Sequence, residues 1–130
     1  MRLKRGWKTM SSKIHEVDPL IYPRKIWVAV GVPTSVLNET LEGIGDMDES
    51  TDAMVVCTSR TKPDKKGGIL IRFDSAKSMT VSTITHESTH AAMCIFDYIG
   101  AKVDLNNQET FSYLCGWIAK CIWQVKSGKY

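Results

Sequence analysis

The chain has no long hydrophobic run. Its longest apolar stretch, "IWVAVGV" at 26–32, falls far short of the ~20 residues needed to span a bilayer. The basic opening "MRLKRGWKTMSSK" is followed by no apolar segment of the kind a secretory signal carries. These absences predict a cytoplasmic protein without membrane contact. Cysteine is sparse and unmotivated as a metal framework: Cys57, Cys94, Cys115 and Cys121 form no CxxC pair and lie in apolar stretches. That pattern predicts buried, reduced thiols rather than a disulfide framework. Internal repeats and low-complexity segments are also missing. The net charge is only +3, and its basic residues gather in the first thirteen positions and in "TKPDKK". With no aromatic residues interleaved as a recognition motif, such runs are solvated surface, so nucleic acid is not an expected partner.

What is present suits one soluble domain over residues 1–130, with 43% apolar and 24% charged residues. "KIWVAVGV" (25–32) reads as a buried strand. After Pro33 the apolar positions 36, 37, 41 and 44 describe a short amphipathic helix closed by glycine. The acidic "DMDESTD" (46–52) is a loop. "AMVVCTSR" and "GGILIRF" read as two strands of a hairpin, turned by "TKPDKKGG".

From Ser75 or Ser78 the period changes. Val81, Ile84, Ser88, Ala91, Ile95 and Tyr98 or Ile99 recur every three or four residues, and Gly100 suits a helix end. A second helix is predicted from near Asn106 to about Val125, packing through Phe111, Leu114, Ile118, Ile122 and Val125. The expected fold is therefore α+β, a small antiparallel or mixed sheet followed by two long helices.

The first of those helices carries "THESTH" at 85–90, with two of the chain's three histidines. A helix turns 100° per residue, so His86 and His90 share a face, one turn apart. Imidazoles so placed can hold one Zn2+ at about 2.0–2.1 Å each. Glu87 is rotated off that face, so it is free to act as general base on a water that the metal activates. Composition alone would produce this HExxH pattern in about one such chain in 300, so the spacing is informative.

A catalytic zinc normally takes three protein ligands. Cys94 is excluded beside both histidines, because eight residues from His86 is about 12 Å of helical rise. Asp97 lies a further turn away. Glu109, in "NNQETFSY", is the leading candidate for the third ligand and Asp104 its rival. Glu109 has a competing local role, since Asn106 stands three residues before it in a pattern like a capping box.

These residues resemble a known family. "HESTH…NNQETFSY" is similar to the gluzincin pattern of zinc metallopeptidases, and "THESTHAAMCIFDYIG" with "NNQETFSYLCGWI" resembles small zincin-like proteins encoded by bacteriophages. The resemblance covers roughly residues 80–120. It implies a zincin-like fold, His86, His90 and Glu109 as metal ligands, Glu87 as catalytic base, and hydrolysis of a peptide or protein substrate. It also implies that the strand before the motif, "GGILIRF", pairs with extended substrate, and that Tyr113 is placed either to donate to an oxyanion or simply to pack. A chain of 130 residues is expected to lack the second domain of larger metallopeptidases, which favours one dedicated substrate or a partner that completes the site. The alternative is a phage accessory or virion protein that uses the fold for binding without significant catalysis.

Overall fold

A computed structural model describes residues 7–11 and 14–129 of the chain. Three helices and a mixed sheet make an α+β fold. The strands are β1 (Trp7–Ser11), β2 (Ile14–Val17), β3 (Lys25–Val30), β4 (Leu41–Glu42), β5 (Ala53–Thr61) and β6 (Gly67–Phe73), in the spatial order β1-β2-β3-β6-β5-β4. Only β3 and β6 run parallel; every other neighbouring pair is antiparallel. The helices are α1 (Thr34–Thr40), α2 (Val81–Ile99) and α3 (Glu109–Ser127), with a short 3-10 turn at Ala76–Ser78.

The continuous apolar character of β3 and β6 follows from their position, because both sheet faces are covered. On one face Ile26, Val28, Ile69, Ile71 and Phe73 pack under α2 and α3. On the other, Trp27, Ala29 and Leu70 meet Leu37, Leu41 and Ile44 from around α1. Alternate residues of the same strand thus serve two separate cores. Trp27 is fully buried, and its indole N–H donates to Glu16 Oε1 at 2.8 Å. It lies against Gly68, where an added Cβ would stand 2.6 Å from the indole ring.

α2 begins at Thr80, which forms a capping box with Thr83, and ends at Gly100 in the left-handed conformation (φ 75°). Ile84, Ser88, Ala91 and Ile95 are buried as the periodicity predicts, whereas Val81, Tyr98 and Ile99 are exposed. α3 packs back along α2 through Leu114, Ile118, Cys121 and Ile122, with Phe96 and Phe111 edge to face at 5.2 Å. Lys126 Nζ donates to Met79 O at 2.6 Å and ties the far end of α3 to the entry of α2.

Two local expectations change. The helix after Pro33 stops at Thr40, and Leu41–Glu42 turn into a short strand beside Arg60 and Thr61. Leu41 and Ile44 still reach the core, so the apolar spacing marked burial correctly and the helix length wrongly. The capping box weighed as the competing role of Glu109 does not form. Glu109 is its first residue and Gln108 its N-cap, with no side-chain capping bond, while Asn106 N donates to Asp104 Oδ1. Among the described residues, no helix is long and apolar enough to cross a membrane.

Candidate metal and catalytic site

His86, Glu87 and His90 lie in the middle of α2, a helix fixed at both ends by its caps and along one side by α3. One turn apart, the two imidazoles come together: His86 Nε2 and His90 Nε2 are 3.1 Å apart, with ring centroids at 4.7 Å. Two nitrogens bound at 2.0–2.1 Å to one tetrahedral ion would be separated by about 3.3 Å. The pair therefore presents its nitrogens at close to the bite of a shared zinc, and both rings are exposed enough for an ion to reach them.

Glu87 is different. It is only 7% exposed, and burial pushes its carboxyl above the ordinary glutamate value while His86 and His90 pull the other way. A buried carboxyl beside two imidazoles is suited to taking up a proton. It opens with His90 onto a cleft of about 480 Å³, whose opposite wall is Ala53, Met54, Val55 and Cys57 of β5 and whose helix side continues through Met93, Cys94 and Asp97.

Glu109 and Tyr113 occupy another place. Both line a groove formed along α3 with Ser112, Gly116, Trp117 and Lys120. Tyr113 is 74% exposed, so it is not the packing tyrosine of the alternative reading. Asp104 sits in the α2–α3 loop, where its carboxylate accepts from Asn106 N and its backbone bridges to Asn107. Among the described residues, no three His, Cys, Asp or Glu side chains gather in a group that could hold a metal ion. The structure thus brings together His86, His90 and Glu87, and it leaves Glu109 in its own groove.

Two further expectations are corrected by the sheet and the cysteines. "GGILIRF" is β6, hydrogen-bonded on both sides by β3 and β5, so it has no edge to offer a substrate. The strand edge beside the cleft belongs to β5: β4 pairs with Arg60 and Thr61 and Gly43 packs on Thr58, which leaves the edge at Ala53–Cys57 beside the cleft. The cysteines were expected to be four buried thiols. Instead Cys57 of β5 and Cys94 of α2 are joined in a disulfide, with their Cα atoms 5.6 Å apart, and Cys57 is exposed. Cys115 and Cys121 remain free, and burial pushes the Cys121 thiol up to about 12. Cys94 is four residues after His90, which puts it on the cleft side of α2, but that spacing says nothing of a disulfide. Its partner on β5 was not recognisable from spacing. No protein-family model, curated protein or solved structure matches the chain.

Proposed function

We propose that the protein is a zinc-dependent peptidase of narrow specificity, with a zincin-like arrangement in which His86 and His90 hold the metal and Glu87 is the general base. The observation that carries this reading is the pair of Nε2 atoms 3.1 Å apart, with the buried Glu87 next to it at the mouth of a cleft. Zinc, when bound, makes water a competent nucleophile at neutral pH. Glu87 accepts that water's proton and returns it to the leaving amine. The substrate backbone adds to the outer edge of β5, between Ala53 and Cys57, where main-chain pairing supplies affinity and the walls of the cleft supply selectivity. Met54, Val55 and Met93 make those walls mostly apolar, with the Asp97 carboxylate further along. Hydrolysis of a peptide library by zinc-loaded protein, stopped by a chelator and restored by added zinc, is the direct test. A library left intact under all three conditions would count against a peptidase.

Glu109 is proposed as the third ligand, reached by a shift of the first turn of α3. Glu109→Gln should then weaken zinc binding well beyond tenfold in chelator competition, since a charged oxygen ligand is lost at constant size. Because no capping bond rests on Glu109 at the α3 N-terminus, a loss of zinc affinity cannot be ascribed to a lost cap. Equal affinity in the variant and the parent would remove Glu109 from the ligand set and leave Asp104 or water as the third ligand.

A further inference from the structure

The disulfide between Cys57 and Cys94 stands at a boundary. The cleft that contains Glu87 and His90 and a second cleft of about 550 Å³ share three lining residues, Cys57, Cys94 and Asp97. The second cleft passes Thr58 and Arg60 of β5 and crosses to Gly67 of β6 and to Arg24, with Tyr98 of α2 on its other side. The sulfur bridge therefore stands between two adjoining clefts. We propose that this bond is a thiol–disulfide exchange site taking a dithiol as co-reactant, and that its reduction joins the two clefts into one groove long enough for an extended chain.

Three features of the structure support exchange at this bond. Cys57 is exposed and the bridge is open to clefts on both sides, so an attacking thiolate has a path to sulfur. The other two cysteines do not compete, because Cys121 is buried and Cys115 half-buried, and both stay free. The fold also has a second tie at the same place. Arg24 Nη2 donates to Cys57 O at 2.9 Å and to Gly68 O at 3.1 Å, and its guanidinium lies 4.4 Å from the centre of the Tyr98 ring on α2. With the sulfur bond cut, Arg24 still links β5 to the end of α2, so the fold persists.

The chemistry balances. A thiolate of the dithiol attacks one sulfur, the S–S bond breaks, and a mixed disulfide forms with release of the other cysteine as thiolate. The second thiol of the reductant then displaces the remaining cysteine. Two electrons pass to the cystine, Cys57 and Cys94 each end with a proton, and the dithiol leaves as its own disulfide.

The exchange itself stands apart from the peptidase reading; its effect on substrate entry rests on that reading. The test needs neither metal nor turnover. Folded protein is treated with dithiothreitol, thiols are counted by alkylation and mass, and backbone amide exchange is followed segment by segment. Two more thiols should become reactive without denaturant, at Cys57 and Cys94. Amides of 53–59 should exchange about tenfold faster, reflecting easier local opening of an edge strand, while those of 67–73 are unchanged. The Cys57→Ser, Cys94→Ser double variant should match the reduced protein and ignore dithiothreitol; if it fails to fold, the reduced parent still provides the comparison. A bond that resists dithiothreitol until the protein unfolds, or identical exchange of 53–59 in both forms, would overturn the proposal.

Discussion

Glu87→Gln should retain its zinc and lose turnover by a factor on the order of 10² to 10⁴, the usual contribution of a positioned general base. The substitution preserves size and leaves both imidazoles in place. It replaces a group that can accept a proton with one that cannot. The parent enzyme should also show an acid limb in kcat/KM, because a base works only when deprotonated. Burial raises the Glu87 carboxyl while the neighbouring imidazoles pull it down, as a bound dication would further; activity should fall as the pH drops through its titration. In Glu87→Gln the limb should vanish along with most of the rate. Steady-state kinetics over pH, with zinc content measured on the same samples, checks both statements. Undiminished turnover in the variant would show that Glu87 is not the base. Zinc bound to both proteins with turnover in neither would favour the binding role without catalysis.

The largest structural effect is expected at Gly68. A Cβ there would lie 2.6 Å from the Trp27 ring and 2.7 Å from Lys25 O. Neither neighbour can give way freely: Trp27 is fully buried with its N–H bonded to Glu16, and Lys25 belongs to the strand paired with β6. Overpacking of this kind costs about 1–3 kcal/mol, sometimes more. For a domain of this size Gly68→Ala should lower Tm by roughly 10 °C. Thermal unfolding followed by circular dichroism measures it. A change of a degree or less would mean that the β3–β6 pair can spread to admit a methyl group, and that the contact with Trp27 does not fix this part of the sheet.

The two long helices were legible because their signal is repeated. In α2 and α3 the buried positions recur over several turns, so a few exposed exceptions such as Val81 do not hide the period. The HExxH spacing was legible for a related reason: the regularity of one helix fixes where His86 and His90 point. Shorter elements carried too few residues for a period to show. "IHEV" becomes β2, with Ile14 in one core and Val17 in the other, but four residues are too few to show a period. Strand order was also beyond local pattern. "GGILIRF" is followed directly by the motif helix, but the long-range parallel pairing with β3 places it in the sheet interior and hands the free edge to β5. The Cys57–Cys94 contact depends on the same long-range placement of β5 beside α2, across 37 residues of sequence.

The central claim is that His86 and His90 together hold one zinc ion. Elemental analysis of the purified protein, beside a His86→Ala, His90→Ala double variant shown by circular dichroism to be folded, tests it most directly. Both rings are on the exposed side of α2 and outside the core, so the variant should keep its fold. About one zinc per chain is expected in the parent and almost none in the variant. A parent that takes up no zinc, or a folded variant with the same zinc content as the parent, would contradict the account.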